Sequence, residues 1–251
     1  MASANVGLLG DFRPSAVVGQ PFADLIGGEA IHALRNRLSW LAGDHSAVHD
    51  YDLRWGEMAL DVGAIGHDGT YLIEAELTAE PRLPDAIGMV RSMSDRLTET
   101  EPQQMAEKAL RQLKALTGFD HLSLLDRSQN VVASANGGTG VVGLFETATD
   151  HSFAKLIADR DAEPVPIVGE TDSPLLDKAS FLAPTDAMRA QMVEADVASA
   201  MSMPLLIDSE LVATLVASHP TPNRCGAERR SVAHLFAERL VARMARNGWA
   251  A

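Results

Sequence analysis

Cysteine is almost absent: among 251 residues only Cys225 carries a thiol. A lone cysteine excludes an intrachain disulfide and a cysteine-based zinc cluster, and it suits a reducing cytoplasm. Basic residues are also few, 21 Lys and Arg against 34 Asp and Glu. The resulting formal charge of −13 repels phosphate backbones and anionic lipid, so neither nucleic acid nor a membrane surface is expected as a partner. The acidity serves solubility instead. No run approaches the ~18 apolar residues that would cross a bilayer, and no charged-then-apolar leader opens the chain. A cytoplasmic protein is the expectation.

What is present is the balance of a chain that folds: 46% hydrophobic and 22% charged residues. The length allows two ordinary domains of ~100–150 residues, or one large one. Pro21 suits a first helical turn and Gly27-Gly28 a stop, which predicts a helix over 20–28. Over 29–41, Ile31, Leu34, Leu38 and Leu41 recur at helical spacing, with Gly43-Asp44 as the end. Strand-like runs follow at 51–55, 58–65 and 71–77, the last two joined by His67-Asp68-Gly69. Short helices followed by antiparallel strands read as an α+β unit.

Pro81 and Pro84 break the chain, and 87–116 reads as one or two helices interrupted at Glu101-Pro102. A second α+β pattern begins with strands at 121–125 and 131–133 and the glycine-rich run 136–140. A proline- and acid-rich stretch spans 159–174. Then come a helix over 186–195, strands at 200–207 and 211–218, and a terminal helix over about 228–246. That helix carries Val232, Leu235, Phe236, Leu240, Val241 and Met244 on one side and Arg229, Arg230, Arg239, Arg243 and Arg246 around them.

Several residues invite a chemical reading. His45 and His49, four apart beside Asp44 and Asp50, would hold a divalent metal if they shared a helix face, but Gly43 and Asp44 favour a polar loop. The glycine run Asn136 to Gly140 lacks the lysine of a phosphate-binding loop and reads as a hairpin loop. Ser218 and His219 are adjacent on a strand and point to opposite faces, so they cannot act as nucleophile and base. Asp159, Asp161 and Glu163 read as solvated surface carboxylates. Cys225 follows Asn223-Arg224 in a turn expected to be exposed, without a catalytic partner. Met188, Met192, Met201 and Met203 are expected to line one region, either as a core closed over a lost ligand site or around a small apolar cavity. No convergent acid, base and nucleophile set can be assembled, and no enzyme activity is expected.

Ser3-Ala4-Asn5, Leu9-Gly10 and Gly19-Gln20-Pro21-Phe22 resemble the start of the phytochrome PAS domain. Leu60 to Ala64 before His67-Asp68-Gly69, then Ile73-Glu74-Ala75-Glu76, is similar to that domain's closing hairpin. Leu116-Thr117-Gly118-Phe119-Asp120 resembles the start of the phytochrome GAF domain. Ile157-Ala158-Asp159 with Ala162-Glu163-Pro164-Val165-Pro166 is similar to the segment after the chromophore loop. The stretches 197–202 and 211–219 resemble the last two GAF strands. The resemblance spans nearly the whole chain through order and spacing, and it implies an α+β protein with a PAS-like and then a GAF-like domain.

Departures from the family shape the functional expectation. In bacterial phytochromes a cysteine ahead of the PAS domain carries bilin, and the residues here begin after that point. No Asp-Ile-Pro tripeptide occurs. The family's pocket histidine falls at Met188 and the first histidine of its Cys-His-His run at Ser218, whereas Ser202 and His219 match. Plant-type attachment would need a cysteine where this chain has Arg189. The resemblance therefore implies a degenerate photosensory region without covalent bilin, without the third photosensory domain and without a kinase. Ser202 and His219 are the ligand-binding candidates it implies, no metal is expected, and noncovalent biliverdin or another ligand is the alternative to having no cofactor.

The expected organisation is a PAS-like domain at 1–80 lacking its first strands, a helical connector at 81–116, a GAF-like domain at 117–225 and an amphipathic helix at 226–251. Without those first strands, 71–77 would have an open edge that a second subunit or a signalling protein could cover. The terminal helix would pack its stripe on the connector or on another subunit, with a homodimer preferred. The leading expectation is a nonenzymatic regulatory module acting by protein–protein interaction. The alternative is a noncovalent sensor of a tetrapyrrole-like or apolar ligand.

Overall fold

The computed structural model describes residues 2–3, 13–25, 28–39, 47–55, 57–67, 69–78, 81–137, 141–145, 154–165, 167–168 and 175–249. These fall into two units, one of residues 1–81 with 163–179, the other of residues 82–162 with 180–251. His45, Gly43-Asp44, most of the Ser3 to Gly10 resemblance and Gly138 to Gly140 lie outside the described residues.

The first unit opens with the short strand β1 (Ala2–Ser3), followed by α1 (Pro14–Val17), α2 (Phe22–Leu25) and α3 (Gly28–Leu38). Strands β2 (Ala47–Trp55), β3 (Met58–His67) and β4 (Thr70–Leu77) form an antiparallel sheet in sequence order. Ile31, Leu34 and Leu38 of α3 pack with Leu53, Leu60, Val62 and Ile73 of the sheet, the helical stripe that the sequence spacing predicts.

Between Asp50 and Leu53 the β2–β3 register shifts, and Asp52 adopts φ +59°. This bulge is held from the neighbouring strand. The buried Asp61 accepts the Asp52 backbone N–H at 3.0 Å and the Thr78 hydroxyl at 2.8 Å through the same carboxyl oxygen. His49 is on a strand, its ring stacked with Tyr51 and close over Gly63, rather than on a helix as a metal pair would need. Among the described residues no three His, Cys, Asp or Glu side chains gather as metal ligands.

The second unit begins with α4 (Ala86–Asp95) and α5 (Pro102–Thr117). Pro102 opens α5 without losing a helical hydrogen bond, and Gly118 closes it at φ +72°. Strands β5 (His121–Asp126), β6 (Val131–Ala135) and β7 (Lys155–Ile157) follow. The short strand β8 (Ile167–Val168) belongs to the first unit, where it pairs antiparallel with β1. Helix α6 (Asp186–Glu194), strands β9 (Ser199–Ile207) and β10 (Glu210–His219) and helix α7 (Ala227–Arg246) complete the chain.

The five-stranded antiparallel sheet has the order β6-β5-β10-β9-β7. One face is largely apolar. Leu122, Leu124, Ala133, Ala135, Leu156, Met201, Met203, Leu205, Leu215 and Ala217 pack there against α4, α5 and α7 in the main core. Small residues let the helices come close: Ala106 and Ala109 of α5 and Ala233 and Ala237 of α7 are all fully buried.

In the stretch expected as a connector, α4 and α5 supply one side of the second unit's core. The apolar stripe of α7 is spent on the same core, so it packs on those helices, the first of the two options the sequence left open. Leu235, 42% exposed, and Arg239 face outward from the middle of α7, as do Ala245 and Arg246 at its end.

Candidate functional site

The opposite face of the five-stranded sheet differs in kind. Strand alternation sends every second residue there, and the cross-strand register lines them up in rows. One row runs Ser134, Ser123, Val216, Ser202, Lys155 across all five strands. The next runs His121, Ser218, Ala200, Ile157. Ser123, Ser202, Ser218 and Lys155 are all buried. Over this floor lie Val141, Leu144, Phe145, Met192 and Val197, which pack with Leu125, Ile157, Ala200 and Val216 in a smaller apolar cluster flanked by Met188 and Leu182.

A hydroxyl buried among such side chains needs a partner. The buried Thr117 and Ser199 hydroxyls donate to the Leu113 and Thr221 carbonyls at 2.8 and 3.0 Å. Those of Ser123 and Ser218, both 0% exposed, have none among the described residues.

Of the ligand candidates, Ser202 lies in the polar row. His219 does not join it. One residue beyond Ser218, it projects to the opposite side, its Nδ1 within hydrogen-bonding distance of the Thr221 hydroxyl (2.9 Å) and its Nε2 3.5 Å from Asp120. Asp120 also accepts from Lys114 Nζ at 2.9 Å. That hydrogen bond, aided by the charges of Lys114, His219 and His121 and opposed by desolvation, holds the Asp120 carboxyl below its ordinary range. A depressed carboxyl stabilises the fold above its unfolded pKa, and the contribution is lost as pH falls through the folded value. Asp120→Asn is therefore expected to flatten the acid limb of the stability–pH curve below about pH 4, a change that thermal unfolding between pH 2 and 6 would reveal.

The four methionines expected together are divided by the sheet. Met188 and Met192 sit on the polar-row face, while Met201 and Met203 are in the main core, because they alternate with Ser202 along β9. Cys225 is not exposed as expected but 2% accessible. Its N–H donates to the Asn223 side chain at 2.9 Å, and at φ +47° the turn directs the residue into the main core. Asp159 caps its own turn by accepting the Asp161 N–H, and Asp161 lies against Arg160 and Arg189. Asn136 and Gly137 turn at positive φ after β6, but no hairpin follows as expected, because the next strand, β7, lies at the opposite edge of the sheet. Sequence reasoning missed Lys155 and Ser123; the Leu-Ser-Leu alternation at 122–124 was the available signal.

The comparisons with known proteins agree with this architecture. A comparison with curated protein sequences finds no match. Among solved structures, the photosensory core module of Stigmatella aurantiaca phytochrome superposes with a TM-score of 0.76 at 18% identity over 98% of this chain. This chain spans 54% of that one. The chromophore-binding domain of a bacteriophytochrome from R. palustris gives 0.74 at 21% identity, covering 98% of this chain and 88% of the other. The Stigmatella chromophore-binding domain gives 0.74 at 18% identity, covering 96% and 88%. The fold is thus that of phytochrome chromophore-binding domains. The GAF domain family matches residues 101–244, from the start of α5 into the last turn of α7, and the chain belongs to the GAF domain family.

Proposed function

We propose that this chain is a nonenzymatic, phytochrome-derived sensory or regulatory module of the cytoplasm that acts by protein–protein interaction and holds no covalent bilin. The observation that carries the reading is the GAF match on a phytochrome-like fold whose single thiol, Cys225, is buried in the main core. A thiol so enclosed is shielded from a bilin vinyl group. The first unit's resemblance to a PAS domain belongs to the same reading.

Two surfaces support interaction with other chains. Strand β4 has one neighbour among the described strands, β3, and its outward residues include the exposed Tyr71 and Leu77. Helix α7 presents Leu235 and Arg239 outward, so a homodimer through α7 would use that side rather than its buried stripe. Sedimentation velocity is expected to show a dimer that Leu235→Glu weakens by at least tenfold, about 1.4 kcal/mol.

The test of the chromophore reading is an absorption titration of the purified chain with biliverdin. The expected result is a spectrum that sums protein and free pigment. A sharpened, red-shifted band saturating at one pigment per chain would replace this proposal with a noncovalent bilin sensor.

A further inference from the structure

The chain contains two Asn-Gly pairs, Asn136-Gly137 and Asn247-Gly248, and the fold treats them oppositely. Such a pair carries a latent reaction of its own, because the glycine main-chain nitrogen, with no Cβ beside it, can reach the asparagine side-chain carbonyl carbon. At Asn247-Gly248 both reacting groups are occupied. The Asn247 amide nitrogen donates to the Thr100 carbonyl at 3.2 Å, the Gly248 N–H donates to the Ala245 carbonyl at 3.1 Å in the turn that closes α7, and Trp249 beyond them packs against the main core. At Asn136-Gly137 neither group is held. The pair is exposed, at φ +58° and +82°, and among the described residues neither the Asn136 side-chain amide nor the Gly137 N–H has a partner. A Cβ placed on Gly137 would meet nothing within 4 Å, so nothing crowds its nitrogen. The Asn136 main-chain carbonyl, by contrast, is fixed: its oxygen lies 2.8 Å from His121 Nδ1, which therefore carries the proton and donates.

We propose that Asn136 is a self-modification site, converted by water to aspartate and isoaspartate, and that His121 steers the conversion towards isoaspartate. The Gly137 nitrogen gives up its proton and attacks Asn136 Cγ. The new C–N bond closes a five-membered imide, and the Cγ–Nδ2 bond breaks to release ammonia. Water then opens the imide at either of its carbonyls. Attack at Cγ restores the original main chain with an aspartate side chain. Attack at the main-chain carbonyl carbon breaks its bond to the Gly137 nitrogen, so the chain now runs through Cγ and the former main-chain carbonyl becomes a free carboxylate. That is the carbonyl whose oxygen His121 holds, and the Nδ1–H stabilises the negative charge that develops there as water adds. The product sets an anion against the imidazole where a neutral acceptor stood. No oxidant, reductant or cofactor is consumed. The inference stands apart from the regulatory reading, since it concerns the covalent chemistry of the chain alone, and either can fail without the other.

The test incubates the full folded chain in mildly alkaline buffer at physiological temperature and follows both pairs by peptide mass mapping. Conversion at Asn136 is expected to run at least about tenfold faster than at Asn247, which must first break two hydrogen bonds. In denaturant those bonds are gone, and the two pairs should convert at comparable rates. An endopeptidase that cuts before aspartate but not before isoaspartate then apportions the product. The ratio of isoaspartate to aspartate at residue 136 should be about twofold or more higher from the folded chain than from the denatured one, and His121→Phe should bring it down to the denatured value. His121 ring resonances should also shift in the folded isoaspartate product, a readout that needs no variant. Equal rates at the two pairs in the folded chain, or an Asn136 that stays intact while the denatured chain is fully converted, overturns the modification site. A product ratio unaffected by folding, or an unmoved His121 ring, overturns the part given to His121.

Discussion

Replacing Phe236 by alanine is expected to destabilise the second unit by about 3–5 kcal/mol, the usual cost of emptying a fully buried aromatic position. Phe236 is 0% exposed on α7 and belongs to the core that joins α4, α5 and the apolar face of the sheet. Its neighbours cannot close the gap cheaply, since Ala233 and Ala237 on the same helix are there to bring backbones together and carry no spare side chain. Hydrogen exchange should show the loss locally, as faster exchange of amides in β9, β10 and α7. Guanidinium unfolding should move to a lower midpoint. Phe236→Leu, which restores most of the volume, should recover more than half of the loss. An alanine variant within 1 kcal/mol of the parent would mean that the helical layer does not pack as described.

The second large effect is expected in the first unit. Asp61→Ala removes the oxygen that accepts both the Asp52 N–H and the Thr78 hydroxyl, leaving two donors to find water or go unpaired. At roughly 1–3 kcal/mol for each orphaned donor, the expected cost is about 3 kcal/mol. The loss has a structural signature beyond its size. Asp52 is at φ +59° in the bulge, a conformation that a non-glycine residue keeps when its surroundings fix it. Freed of Asp61, the bulge should relax, and amides from Asp50 to Leu53 should exchange faster than those at the Trp55 end of the hairpin. Asp61→Asn keeps an acceptor oxygen and should retain most of the protection. Uniform loss along β2 in both variants would show that Asp61 supports the sheet generally rather than the bulge.

Much of this architecture is legible from spacing. The stripe Ile31, Leu34, Leu38 does what its period predicts, and the strands now seen at Met58–His67, Thr70–Leu77, Ser199–Ile207 and Glu210–His219 extend those expected by a few residues at most. Strand β7 was not legible, because three residues are too few to show alternation and their pairing partner lies some forty-five residues away in β9. The place of α4 and α5 in the second unit's core was out of reach for a related reason. Prolines mark where a chain turns, not which core its helices join, and only the burial of Leu110, Leu113 and Phe236 together settles that.

The candidate site was legible in part. Family resemblance suggested Ser202 and His219 together, and the structure puts them on opposite sides of the sheet. Local alternation along β9 and β10 would have separated the two, and would have kept Met201 and Met203 apart from Met192. The transverse row itself was out of reach, since it depends on the register of five strands drawn from residues 123 to 216.

The pairing of β1 with β8 bears on the order of synthesis. Ala2 and Ser3 are translated more than 160 positions ahead of their partners Val168 and Ile167. At ~5–20 residues per second, the opening segment waits roughly ten seconds or more before its strand partner exists. A contact that closes so long a loop forms late and slowly. During that interval the helices and hairpins of residues 82–162 emerge with their own local contacts available. The first unit is therefore begun before the second and finished only after part of the second has been made.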